Sequence, residues 1–101
     1  MVSFFILYTG DVMTISYADI IKSNKIIDIR NRSIYNKKNI DGTINIPRLE
    51  LLSSPSSYIK KGEIVYILCD EGYASLITAK ILNALGYNCY SIEGGIEKIL
   101  G

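Results

Sequence analysis

Apolar residues in this chain come in short, nearly unbroken runs separated by polar punctuation. The clearest run is Ile64-Val65-Tyr66-Ile67-Leu68, which has the length and character of a strand buried on both faces. Residues 25–29, with Ile26, Ile27 and Ile29, repeat the pattern, as do residues 88–92, with Cys89, Tyr90 and Ile92. Val12-Met13-Thr14-Ile15 predicts a further short strand. Thr43-Ile44-Asn45-Ile46 predicts a short extended piece closed by Pro47, because the residue before a proline avoids the helical region. After residue 73 the period changes. Ala74, Ile77, Thr78, Ile81, Leu82 and Leu85 recur at intervals of three and four. That spacing predicts an amphipathic helix with this face turned inward, and Gly86 supplies its stop.

The remaining segments are short. Ser16 is placed to cap a helix over residues 17–21, with Asp19 at the capping-box position. Residues 31–39 are polar, anchored by Ile34 and Tyr35, and predict one or two helical turns. Asp41-Gly42 is a turn, residues 49–52 a short helical turn, and Ser53-Ser54-Pro55-Ser56-Ser57 a surface loop. Glu93-Gly94-Gly95 turns into a final helix over residues 96–100. Strands alternating with helices predict an α/β fold, a mostly parallel sheet covered on both faces. Right-handed crossovers then make 26–29, 64–68 and 89–92 neighbouring parallel strands.

With 101 residues, the chain is one domain, 1–101, able to bury a modest core. Residues 1–11 read as an N-terminal extension or edge segment. Their apolar start, Met1 through Tyr8, lacks the basic flank and small-residue cleavage pattern of a signal and is too short to span a bilayer. A net charge of +1, with no basic run longer than Lys37-Lys38 or Lys60-Lys61, gives no electrostatic case for nucleic acid or an anionic membrane. Histidine is absent, which excludes a Cys–His pair, a Ser–His–Asp triad and any His-ligated metal within the chain. The two cysteines make neither a zinc site nor a disulfide framework. A loop thiol beside a core thiol suits a reducing compartment, and the expected location is cytoplasmic.

The candidate chemistry lies in Cys69-Asp70-Glu71-Gly72-Tyr73-Ala74-Ser75. This stretch joins the end of a buried strand to the start of a helix, and in open α/β sheets that crevice is where ligands bind. A thiol needs neighbours that favour its anion, and the free N–H groups of a tight loop and first helical turn provide them. Gly72 lets the loop turn without a Cβ in the way. Cys69 is therefore the expected nucleophile, at least partly accessible, with its sulfur facing amides between Glu71 and Ser75. Cys89, inside an apolar run, is the expected core thiol, too distant to pair with it.

In order and spacing the chain resembles a single-domain rhodanese from about Ile15 to Gly101. Three stretches carry the resemblance: Ile27-Asp28-Ile29-Arg30, then Asn39-Ile40-Asp41-Gly42-Thr43-Ile44-Asn45-Ile46-Pro47, then the Cys69 loop followed by Gly94-Gly95. The resemblance implies a five-stranded parallel sheet flanked by helices, with no cofactor and no metal. It implies that Cys69 takes up a sulfane sulfur as a persulfide and passes it to a thiol or other nucleophile, the amides of Asp70 to Ser75 forming the cradle. The donor would be a small-molecule or protein persulfide. Asp28 and Arg30 fall at the site's edge. Asp28 would orient the Gly42 segment and Arg30 would present charge to the site, or both would simply tie the strand end to its neighbours.

The chain departs from the family's pattern at several points. Asn39 stands where many members have histidine, Ala74 where many have arginine, and Ile99 where tryptophan is common. Without arginine at Ala74 or Ser75, the phosphate clamp of the related phosphatases is missing. Asp70 and Glu71 put carboxylates where thiosulfate-active members carry basic residues, so thiosulfate is expected to be a poor donor. Two other readings compete with a sulfurtransferase: a non-catalytic binding module using the same crevice, and a thiol-based oxyanion reductase or sensor.

Overall fold

The computed structural model describes residues 13–101. The apolar segment 1–8, the turn 9–11 and Val12 lie outside the described residues. Five strands, β1 (Thr14–Ile15), β2 (Lys25–Asp28), β3 (Ile44–Asn45), β4 (Ile64–Leu68) and β5 (Asn88–Ile92), form one sheet in the order β1-β5-β4-β2-β3. Every pairing is parallel, with Ile27 opposite Ile67 and Val65 opposite Cys89. Among the described residues, four α-helices pack with it: α1 (Arg32–Lys37), α2 (Arg48–Ser53), α3 (Tyr73–Ala84) and α4 (Gly95–Leu100).

Side chains on a strand alternate between faces, and the two cores follow that alternation. Ile27, Val65, Ile67 and Cys89 point to one face and pack with Leu51 of α2 and with Ala79 and Leu82 of α3. Ile26, Tyr66, Leu68 and Ile92 point to the other, against Ile20 and Ile96 of α4. The buried Tyr66 keeps its hydroxyl satisfied by accepting from the Ile21 N–H at 3.1 Å and the Asn24 amide at 3.3 Å. β4 lies at the centre of the sheet, so its carboxyl end, where Cys69 follows, is flanked by structure on both sides.

Several elements differ from the sequence reading. The helix expected over 17–21 is a 3₁₀ turn, Tyr17–Asp19, and the Ser16 hydroxyl accepts from the Ala18 N–H rather than from Asp19. The serine-rich loop holds a second 3₁₀ turn, Pro55–Ser57, because Pro55 supplies a helical φ at its first position. The larger difference concerns α3. Its buried stripe is Ser75, Thr78, Ala79 and Leu82, whereas Ile77 (52% exposed), Ile81 (38%) and Leu85 (50%) face outward. Of the expected inward face only Thr78 and Leu82 are buried. The helix lies so close to β4 and β5 that its contact stripe takes small residues, and Ser75 hydrogen-bonds to Ser91 of β5. Proximity to the sheet, set by the loop before it, decides the rotation of α3 over hydrophobicity.

One ion pair fastens the entry to β4. The Glu63 carboxylate accepts from the Lys60 N–H at 3.0 Å and pairs with Lys25 at 3.3 Å. The backbone hydrogen bond from Lys60, aided by Lys25, lowers the Glu63 carboxyl from its ordinary value despite opposing desolvation. A carboxyl depressed in the folded state contributes stability above its unfolded titration range and loses it as pH falls through the folded value. Denaturation midpoints of wild type and Glu63→Gln should therefore differ at neutral pH, wild type being the more stable. They should converge as pH falls through the acid range.

Candidate active site

Cys69 follows directly on β4, and the chain then turns through Asp70, Glu71 and Gly72 into α3. Gly72 is the N-cap, with φ of 98°, a left-handed conformation that favours glycine. The turn brings two backbone donors to the sulfur: the N–H groups of Gly72 and Ser75 each lie 3.2 Å from Cys69 Sγ. The Ser75 hydroxyl is also 3.2 Å from the sulfur and accepts from the thiol. Behind it stands Ser91, fully buried, with the two serine oxygens 2.6 Å apart. Ser75 also donates to the Gly72 carbonyl at 3.2 Å. When the sulfur carries a proton, the Ser75 oxygen accepts a hydrogen bond from the thiol and donates its own to Gly72 O. When the sulfur is an anion, Ser75 can turn its own proton toward it while accepting from Ser91.

The loop's carbonyls are drawn away from the sulfur. Cys69 O accepts from the Ile96 N–H at 2.9 Å and Asp70 O from the Glu97 N–H at 3.0 Å, both in the first turn of α4. So close an approach leaves no room for a side chain at Gly95, where a Cβ would overlap Cys69 O and Asp70 O.

Arg30 and Asp28 form a buried pair beside this loop. Arg30 Nε and Nη2 donate to the Asp28 carboxylate at 3.0 and 2.8 Å, and the Arg30 N–H donates to the same group at 3.0 Å. The hydrogen bonds to Asp28 hold the guanidinium even more firmly charged than usual, outweighing its desolvation. Arg30 Nη2 also donates to Lys38 O at 2.7 Å, and Nη1 lies 3.6 Å from the Asp70 carboxylate. The Asp28 carboxylate thus holds Arg30 and not the Gly42 segment. That segment is held instead by the Tyr35 hydroxyl, which donates to Thr43 O at 2.9 Å.

A cavity of about 470 Å³ is lined by Cys69, Asp70, Glu71, Tyr73 and Ala74 from the loop and by Arg30 and Arg48 from neighbouring elements. Cys69 is more enclosed than the sequence suggested. It is only 5% exposed and belongs to the core of the α2–α3 face, because its side chain lies under the first turn of α3. Ser75, expected to contribute only its amide, also presents its hydroxyl. Arg48 and Ser91 were not singled out from the sequence. Ser91 sits in a strand, where a lone serine reads as a sheet position, and Arg48 follows Pro47 at a loop edge, where a lone arginine reads as solvated.

The profile of the rhodanese-like domain family matches residues 15–101. The chain belongs to that family. It is 30% identical over 74 residues to the thiosulfate sulfurtransferase PspE of Escherichia coli, covering 72% of this chain and 71% of that protein. It is 28% identical over 74 residues to the adenylyltransferase and sulfurtransferase uba4 of Ogataea parapolymorpha, where the match covers 72% of this chain but 19% of the larger protein. Among solved structures, a rhodanese-related protein from Thermoplasma volcanium superposes with a TM-score of 0.78 at 28% identity, over 86% of this chain and 89% of that one. Reduced CoADR-RHD of Bacillus anthracis superposes with a TM-score of 0.77 at 25% identity, over 96% of this chain and 18% of that one. Among the described residues of this rhodanese-like domain, no helix is long and apolar enough to cross a membrane.

Two measurements test this geometry. Gly95→Ala combines the strain of a left-handed alanine with backbone overlap and should cost several kcal/mol in urea denaturation. Gly42→Ala, also at positive φ but with open space around it, should cost only about 1–2 kcal/mol. Burial, with a smaller contribution from Glu63, pushes the Cys89 thiol up to about 12. Iodoacetamide at mildly acidic pH should therefore label Cys69 well before Cys89, as read by peptide mass mapping.

Proposed function

We propose that this rhodanese-like domain is a sulfurtransferase that carries sulfane sulfur as a persulfide on Cys69. The observation that supports the reading is the setting of the sulfur, with two backbone N–H groups and one hydroxyl each 3.2 Å from Sγ at the floor of an open cavity. Converging amides favour an anionic sulfur and cost no reorganisation when the charge develops. In the first step the Cys69 thiolate attacks the outer sulfur of a donor R–S–SH. A bond forms between Sγ and that sulfur, the donor's S–S bond breaks, and its electron pair leaves on the inner sulfur as a thiolate. In the second step an acceptor thiolate, or cyanide, attacks the terminal sulfur of the persulfide. The new bond forms as the Sγ–S bond breaks, and the electron pair returns to Sγ. One sulfur atom is transferred without net oxidation and without a cofactor. The donor is a small-molecule or protein persulfide, and a thiol chemistry of this kind suits the reducing cytoplasm.

Thiosulfate is a poor donor in this reading. Two carboxylates, Asp70 and Glu71, line the site with two guanidinium groups, Arg30 and Arg48, and the buried Asp28 behind Arg30 offsets part of that positive charge. Arg30 is already engaged by Asp28 and Asp70, so its charge offers little to a dianion. Each pocket carboxylate opposes a dianion by ~1 kcal/mol in a partly desolvated crevice.

Reduced protein incubated with an organic persulfide should gain the mass of one sulfur atom on Cys69. Cys69→Ala should gain none, while losing ~1 kcal/mol of stability because the sulfur is packed into the core. Persulfide appearing in Cys69→Ala, or none in wild type with any donor, would overturn the proposal. The pair Asp70→Asn with Glu71→Gln should raise thiosulfate:cyanide turnover about ten-fold at low ionic strength. Asp70→Asn should contribute the larger share, since it also frees Arg30.

A further inference from the structure

We infer that Arg48 anchors a carboxylate on the sulfur donor, which makes carboxylate-bearing persulfides the preferred substrates; the substrate half of this inference rests on Cys69 being the sulfur carrier. Two guanidinium groups line the cavity over Cys69, and they are in different states. The donors of Arg30 are taken by Asp28 and Lys38 O, with Asp70 facing Nη1 at 3.6 Å. Arg48 donates only from Nε, to Thr78 Oγ1 at 3.0 Å. Among the described residues neither terminal nitrogen of Arg48 has a hydrogen-bond or ion-pair partner, and no ion pair joins it to Glu71.

The contact to Thr78 positions this arginine. Thr78 is fully buried, and its hydroxyl proton is committed to Ala74 O at 2.7 Å, so toward Arg48 its oxygen only accepts. The guanidinium is thereby tied to α3 by its inner nitrogen, leaving the two terminal nitrogens as a donor pair for the cavity. Two parallel N–H groups of a guanidinium match the two oxygens of a carboxylate.

The same arrangement discriminates between anions. Thiosulfate carries both charges within two bonds of the reacting sulfur, close to Asp70 and Glu71. A carboxylate at the far end of a short organic group places its charge on Arg48 and, in the protonated R–S–SH form that reacts, keeps an uncharged S–S bond before Cys69. The site then accepts one negative charge at a chosen place and refuses two beside the sulfur.

Alkylation of Cys69 tests the anchor without needing sulfur transfer. Iodoacetate and iodoacetamide differ in the carboxylate alone, so the ratio of their second-order rates reports anion capture. Arg48→Gln should lower that ratio roughly ten-fold, as expected for losing a charge-assisted pair of hydrogen bonds, with the iodoacetamide rate within about two-fold of wild type. Arg48→Lys should keep part of the ratio, and 0.5 M salt, a concentration that roughly halves the screening length of physiological buffer, should lower it in wild type. A ratio unchanged in both variants overturns the proposal, and so does an equal loss of both rates. If Arg48→Gln fails to fold, the Arg48→Lys ratio and the salt response decide by the same criteria. The substrate half is read from persulfide formation on Cys69 with mercaptoacetate persulfide against mercaptoacetamide persulfide, the former expected to be faster in wild type and equal in Arg48→Gln. Equal rates in wild type overturn it. Should the alkylation ratio fall as expected while neither persulfide loads Cys69, the anchor stands and the sulfur-carrying reading fails.

Discussion

Amides can converge on the Cys69 sulfur only because the loop's carbonyls are occupied elsewhere. A six-residue turn that aims N–H groups inward must aim its carbonyl groups outward, and buried carbonyls need donors. The first turn of α4 supplies them, through Ile96 and Glu97. That solution demands backbone-to-backbone approach, which is why Gly95 lies against Cys69 O and Asp70 O with no space for a Cβ. The sulfur's environment is thus set by a helix more than twenty residues away in sequence. It depends as well on β5, whose Ser91 completes the hydroxyl pair behind the sulfur.

The charges around the site follow a similar logic. Asp28 is fully buried, and an unpaired carboxylate there would be costly. Arg30, two residues on, answers it with a bidentate contact and then reaches Lys38 O at the end of α1 and Asp70 in the loop. One guanidinium therefore links β2, α1 and the Cys69 loop. In doing so it gives up the capacity to hold a substrate anion. Asp28 and Arg30 are thus tied to one another and to the elements around the loop, and the cavity's other guanidinium, bonded among the described residues through its Nε alone, belongs to Arg48 of α2.

Placing acid and base on separate elements also separates their effects. Asp70 and Glu71 belong to the loop that carries the sulfur, whereas Arg48 lines the cavity from α2, tied to α3 through Thr78. A ligand is met by opposite fields at its two ends. Electrostatic terms of this kind fall off with distance and salt, so a cavity this small can still distinguish where on a molecule the charge sits.

Much of this was legible in the residues themselves. The unbroken apolar run at 64–68 and the largely apolar stretches at 25–29 and 88–92 specified buried strands, and their alternation with helices specified a parallel sheet, because both properties are local or follow from the handedness of the chain. The Cys69 loop was legible for the same reason: strand, glycine turn and helix are consecutive. What only the tertiary structure decided were the contacts between elements distant in sequence. The rotation of α3 went against its own hydrophobic pattern, since closeness to the sheet selects small residues such as Ser75 and Ala79 over Ile77 and Ile81. The near-complete burial of Cys69, the pairing of Ser75 with Ser91, and the meeting of Arg48 with Thr78 all join residues that no local pattern connects. A sequence period records which residues prefer to leave water, and packing decides which neighbours they meet there.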